Sequence, residues 1–413
     1  MITRVHQREG LSILFIVPSD YRSLLEKGVA SMILERDEGG FFKKVLNAHP
    51  YASKTQTFDL NETHRLIEFG RNYPFSFLNS NLGKRVNFLF KPASIVKILT
   101  SLVRREHIHV IRATDPFLCG FYAWAVSKLT GVPFCVSIHA DYDKCYRLDG
   151  KKNGVPLLYK ILERFVLPRA QLVMPISEYL GQSAVKQGVS QERIRIIPHG
   201  VDTRRFMYPK EMDIGAEFAL PKDKKYLCVV GRLSRQKYVY DALEVARRLS
   251  QERDDFISIF IGDGEERKSL ELQVEQKRLS SNVKIVGFQS NERVAGILSQ
   301  SYLAFCLLAG FSLIEACVAG VPVVCYDIEW HTELIKNGEN GLTVREGDID
   351  ALTERVTYLL DHPEEAREMG AKARKHAITR HEISHTSEVK RNCYRELLGI
   401  SVNDAKERKG VDK

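Results

Sequence analysis

The chain has 413 residues, 44% of them hydrophobic and 27% charged, with no low-complexity stretch or short repeat, which predicts an ordinary globular protein of two or three domains with large cores. Sixty-one Lys and Arg against 52 Asp and Glu leave a formal net charge of +9. That charge points to anionic lipid or phosphorylated small molecules, and no segment resembles a nucleic-acid module. Cys119, Cys135, Cys145, Cys228, Cys306, Cys317, Cys325 and Cys393 form no CxxC pair, which argues against zinc or redox chemistry and for a reducing, cytoplasmic compartment.

In chain order, the apolar run Leu11 to Pro18 is too short and wrongly flanked for a signal peptide and predicts a first strand. A polar loop follows. In "PASIVKILTSLVRREHIHVIRATD" Ile95, Ile98, Leu99 and Leu102 repeat at helical spacing before a strand from His109 to Arg112. The same rhythm predicts a helix over 117–129, a strand over 133–140, a helix near 155–168, a strand over 172–177, a helix after Glu178 and a strand over 193–200. From Thr203 to Lys225 the pattern lapses into charges and prolines, the expected domain boundary. A second series then runs through "KYLCVVGRL", "FISIFIGDG", "NVKIVGF", "YLAFCLL", "GVPVVCYD" and "NGLTV". Strands alternating with helices predict two doubly wound parallel sheets, Rossmann-like α/β domains facing a cleft, with ligands at the carboxyl ends of the strands. The expected boundaries are 1–205, 206–380 and a C-terminal helix and polar tail over 381–413 that crosses back to the first domain.

Tyr302 to Tyr326 is a run of 25 residues with one formal charge, Glu315, long enough to span a bilayer. Gly320-Val-Pro322 would disrupt such a helix, and a carboxylate near mid-membrane costs about 2.5 kcal/mol or more. Strand, turn, helix, turn, strand violates nothing. Glu315 therefore belongs to a buried site or to a helix start.

The segments "PHGVD" (198–202), "GRLSRQK" (231–237), "IGDGEER" (261–267), "VGF" (286–288), "GFSLIEACVAGVPVV" (310–324) and "ELIKNGENGLTV" (333–344) follow one another in an order and spacing that resembles the family 4 glycosyltransferases, retaining enzymes of the GT-B fold. The resemblance is close over about 175–345. Before residue 170 it is architectural, apart from the "HAD" stretch, where His139 resembles the family's sugar-contacting histidine; a loop histidine satisfied by its neighbours is the alternative. It implies a nucleotide diphosphate sugar as donor substrate, no cofactor, no metal, and a carbohydrate or lipid-linked acceptor, as in polysaccharide, lipopolysaccharide or glycolipid assembly.

Arg232 and Lys237 follow a strand, where two cations would neutralise a diphosphate leaving group. Gly310, Phe311 and Ser312 precede a helix expected to start about Leu313, whose free N–H groups would hold phosphate. Glu315 matches the family's carboxylate for the nucleotide ribose, although Ser312-Leu-Ile-Glu315 is also a capping box. Gly287 and Phe288 would lie near the base by resemblance. "GDG" at 262–264 reads as a tight turn, and Glu333 aligns with a family glutamate that helix capping explains equally well.

Two departures stand out. The family pairs two glutamates separated by seven residues, and counting back from Glu315 reaches Leu307. Either Leu307 leaves an apolar wall that suits a deoxy or acylated sugar, or it points into the strand core. The Gly-rich acceptor loop usual after the first strand is reduced to Gly28. Over 73–91, Phe75, Phe77, Phe88 and Phe90 alternate with Lys84, Arg85 and Lys91, a mix suited to peripheral contact with an anionic membrane or to an ordinary strand and loop. A nucleotide-sugar-binding subunit without activity, or an epimerase or hydrolase on the same frame, are the rival functions.

Overall fold

Strands buried on both faces read as unbroken apolar runs, and such runs set the two sheets of this protein. The computed structural model describes residues 10–26, 30–52, 54–70, 81–151, 153–209, 211–308 and 310–400. The chain divides into two units: residues 1–140, 155–197 and 387–413 form the first, and 141–154 with 198–386 the second.

In the first unit, Leu11–Ile16 (β1), Phe42–His49 (β2), Gln56–Asp59 (β3), His64–Glu68 (β4), Val110–Ala113 (β5), Phe134–Ile138 (β6) and Leu172–Pro175 (β7) form a sheet of order β3-β4-β2-β1-β5-β6-β7. All pairs are parallel except β3 with β4. The segment read as a polar loop after β1 thus holds three strands. Buried polar residues such as Asn47, His49, His64 and Glu68 break the apolar pattern there and hide the strands from periodicity. The stretch over 193–200 is not a further strand: it makes one bridge, Val173 to Ile194, and although Arg195 N donates to Val173 O at 3.0 Å and Ile197 N to Pro175 O at 2.8 Å, Pro175 has no N–H to return, so no ladder forms.

The helix Ile383–Leu398 carries the chain back into the first unit from residue 387. Tyr394 is fully buried there and accepts a 2.5 Å hydrogen bond from Arg112 Nη1, while Arg112 Nε donates to Ser137 Oγ at 2.8 Å. Lys390 pairs with the buried Glu38 at 3.1 Å. The unit boundaries fall at 140/141, 154/155, 197/198 and 386/387 instead of at 205/206 and 380/381.

In the second unit, Lys225–Val230 (β8), Phe256–Ile261 (β9), Val283–Gly287 (β10), Leu303–Phe305 (β11), Val323–Tyr326 (β12) and Leu342–Val344 (β13) form a wholly parallel sheet of order β10-β9-β8-β11-β12-β13. The segment 302–326 is strand, helix and strand, and no described helix is long and apolar enough to cross a membrane. Gly28 and residues 71–80, with Phe75 and Phe77, lie outside the described residues; residues 81–91 are the first part of the helix Asn81–Arg105 and not the strand and loop given as one of the two alternatives.

Candidate active site

The chain lays down β8, β9 and β10 outward in one direction, then returns to place β11, β12 and β13 on the other side of β8. Strand order reverses between β8 and β11, and loops leaving the carboxyl ends of such a pair diverge and open a crevice. Arg232 and Lys237 leave β8, and residues 306–312 leave β11, so the predicted phosphate-binding groups converge at this reversal.

The loop after β8 is built by close backbone packing. A side chain at Gly262 would put its Cβ 1.9 Å from Gly231 O, and one at Gly264 2.4 Å from Leu233 O. Leu233 N donates to Asp263 O at 2.9 Å and Glu266 N to Leu233 O at 3.0 Å. The "GDG" segment is therefore more than a turn: its missing side chains let the β9 loop brace the β8 loop. On that support Arg232 is exposed, and among the described residues its guanidinium meets no carboxylate. Lys237 is half-buried and its Nζ donates to Leu308 O at 2.9 Å, tying the β8 turn to the β11 loop. Burial lowers its pKa, opposed by Cys145 and Glu329 and assisted by Arg232. An ammonium already out of water gains more from an incoming anion than a solvated one would.

Gly310 is the N-cap of the helix Phe311–Ala319, with no side-chain cap, so the helix starts two residues before the expected Leu313. Ser312 is then inside the first turn and cannot pair with Glu315 as a capping box. The Glu315 carboxylate, 8% exposed, instead takes a 2.7 Å ion pair from Arg205 Nη2. Burial raises the Glu315 pKa and Arg205 opposes it. Arg205 Nε is buried with no hydrogen-bond partner, and the guanidinium lies 5.1 Å from the Phe206 ring centroid. Phe311 packs on His199 of "PHGVD", with ring centroids 4.4 Å apart. Arg205 carries no sequence signal: it lies 110 residues from its partner, in the stretch expected to be the domain boundary.

Glu329 was also missed. It follows β12 at a positive φ of 50°, between the buried Ile328 and Trp330, and its Oε1 is buried without a partner. Burial first, then Asp141, push its carboxyl up to about 7 against the pull of Lys144 and Lys237. No sequence signal marks it, because the positive φ and the unpartnered oxygen both belong to the folded loop.

The remaining expectations scatter. Gly287 ends β10, with Phe288 exposed beside it. Glu333 pairs with Arg380 at 2.8 Å, so an ion pair engages it. His139 stands exposed just beyond β6 in the first unit. Leu307 is 3% exposed within the second unit's core, so it is no wall of a sugar pocket. Leu307→Ala is expected to cost about 2–5 kcal/mol in denaturant unfolding with nucleotide affinity unchanged; unchanged stability would contradict the core placement.

A profile of the family described as Glycosyltransferase Family 4 matches residues 59–205, and one described as Glycosyl transferases group 1 matches residues 212–376. The chain is 26% identical over 249 residues to a 2-deoxystreptamine glucosyltransferase of Streptomyces kanamyceticus, covering 57% of this chain and 64% of that relative. It is 24% identical over 324 residues, 74% of this chain and 81% of the relative, to an Escherichia coli UDP-Gal:alpha-D-GlcNAc-diphosphoundecaprenol alpha-1,3-galactosyltransferase. Among solved structures it resembles Anabaena HepE in complex with UDP, with a TM-score of 0.68 and 16% identity over 92% of this chain and 98% of that one. That likeness identifies the fold as GT-B.

Proposed function

We propose that this chain, which belongs to glycosyltransferase family 4, moves a glycosyl unit from a nucleoside diphosphate sugar to an acceptor hydroxyl with retention at the anomeric carbon. The observation that carries the reading is Lys237, a half-buried ammonium fixed to Leu308 O at the reversal of the second sheet. Bond breaking at the anomeric carbon leaves its electron pair on the diphosphate. Lys237, Arg232 and the backbone amides at 310–312 stabilise that growing charge. Glu315 accepts hydrogen bonds from the nucleotide ribose through the oxygen that Arg205 does not hold, and the leaving phosphate takes the proton of the attacking hydroxyl on the same face. Gly287 and Phe288, at the end of β10, would lie near the base.

Titration of the purified protein with UDP, GDP, ADP and dTDP tests the donor class. One of them, at 100 times its dissociation constant, should add about 2.7 kcal/mol of stability. No stabilisation by any would sink the reading. The leaving-group assignment further predicts full turnover in EDTA; activity lost to the chelator and restored by magnesium would overturn it.

The acceptor is a carbohydrate hydroxyl, free or lipid-linked, reached from the cytoplasmic face of a membrane in glycan assembly. The relative that acts on a diphosphoundecaprenol substrate supports that class, and so does the basic, aromatic composition of 73–91. Sedimentation with anionic vesicles at low salt should carry the protein down; failure to bind would remove the membrane from the proposal. A binding subunit without turnover is the second reading, favoured by Leu307 standing in the core at the position where the resemblance implies a glutamate. Product formation from any sugar nucleotide excludes it.

A further inference from the structure

We propose that Glu329 is the donor-sugar contact of this protein, its carboxylate accepting hydrogen bonds from hydroxyls of the glycosyl unit attached to the diphosphate that Lys237 holds. The inference rests on the transferase reading and assigns a residue within that site.

The loop that carries Glu329 is firmly built. Ile328 and Trp330 are 7% and 6% exposed, Ile328 N donates to Tyr326 O at 2.9 Å, and the buried His331 ring lies 2.9 Å from the same carbonyl through Nδ1. Anchors on both sides force the residue between them to φ +50°, a conformation that disfavours a side chain of this size. Charged and polar groups from several elements act on the carboxyl. Lys237 and Tyr238 come from the turn after β8, Asp141, Lys144 and Cys145 from the helix Tyr142–Leu148 and the residue before it, and Glu346 from beyond β13.

Among the described residues, the cations and donors nearby each hold an acceptor other than Glu329. Lys144 Nζ pairs with Glu346 Oε2 at 2.8 Å, the Tyr238 hydroxyl donates to the other oxygen of Glu346, and Lys237 donates to Leu308 O. Glu329 Oε1 is left buried and unpartnered. A strained backbone and an orphaned carboxyl oxygen both oppose folding, and such costs gather where a ligand later meets them. Asp141 and Glu346 would repel an anion, while a cation would have to displace or sit against Lys144 and Lys237. A neutral ligand rich in hydroxyl donors fits the set, and the group covalently joined to a diphosphate at Lys237 is the sugar. Glu329 thereby supplies, from the loop after β12, a carboxylate that Leu307 in the core cannot.

The test starts from whichever of UDP, GDP, ADP and dTDP most raises the wild-type Tm, and from its glucose and galactose conjugates. Wild type, Glu329→Gln and Glu329→Gly are titrated with each. Both variants should hold the free diphosphate within about twofold of wild type and the preferred sugar conjugate about tenfold or more weakly, the loss of one charge-assisted hydrogen bond. Glu329→Gly should at the same time raise Tm by about 1–3 °C, because glycine accepts the positive φ and removes the orphaned oxygen. Equal effects on conjugate and free diphosphate, a change confined to acceptor KM, or a lowered Tm in Glu329→Gly with both affinities lost would each overturn the assignment. Failure of wild type to bind any of the four diphosphates would instead remove the donor reading beneath it, and the assignment with it.

Discussion

Replacing Lys237 with methionine, which keeps most of the side-chain volume, is expected to lower kcat by roughly 100- to 1,000-fold, the range for removing one preorganised donor from a developing anion. The ammonium is drawn out of water by its own chain and held toward Leu308 O, so little reorganisation is needed when the diphosphate separates. Arg232, exposed at the start of the same loop, holds its guanidinium less rigidly, and Arg232→Ala should cost less. Because the ammonium acts on the leaving group and not on the nucleoside, the affinity for the free nucleoside should stay unchanged while kcat and kcat/KM fall together. Lys237→Arg should not rescue, since a planar fork does not fit a point contact with one carbonyl. Steady-state kinetics decide the matter: a kcat within threefold of wild type would remove Lys237 from the chemistry.

The second large effect is on stability. Arg205→Met strips the partner from Glu315, and one-sided removal of a buried pair costs about 3–5 kcal/mol. The loss depends on pH in a direction that the chemistry fixes. Burial already raises the Glu315 carboxyl above its ordinary value, and losing Arg205, the opposing influence, raises it further. A carboxyl whose folded pKa lies above the unfolded one binds more protons when folded, so stability falls as pH rises from the unfolded value toward the folded one. The gap between wild type and Arg205→Met, measured by urea unfolding, should therefore be small near pH 5 and widen toward pH 8. Adding Glu315→Met should recover most of it, and a double mutant as unstable as the single one would show that Arg205 acts through packing on Phe206 instead.

The second sheet was legible because its strands are apolar on both faces: "YLCVV", "FISIFI" and "PVVCY" admit no other reading once glycines and prolines bound them. The strands β2 to β4 were not, since Asn47, His49, His64 and Glu68 are buried through contacts from elsewhere in the fold. The site divided along the same line. Lys237 and the 310–312 turn could be placed from strand ends, which sequence marks well. The role of Glu315 hinged on two residues of helix start, a distance within which local signals do not resolve a boundary. Its partner Arg205 and the unsatisfied Glu329 are properties of the folded surroundings. No spacing rule announces an ion pair across 110 residues or a carboxyl oxygen that finds no donor.

The return of the last helix to the first unit also sets the order in which the protein can be completed at the ribosome. Residues up to 197 leave the exit tunnel with Arg112 facing the place that Tyr394 will fill and with Glu38 lacking Lys390. Roughly 200 more residues must be synthesised before those partners emerge, a wait on the order of 10–40 s at about 5–20 residues per second. The second unit, whose segments all precede residue 387, can close its core first, although it starts later. A nascent first unit with an open hydrophobic seam for that long is a natural client for a holding chaperone. A stop codon shortly after residue 386 would leave that seam open for good.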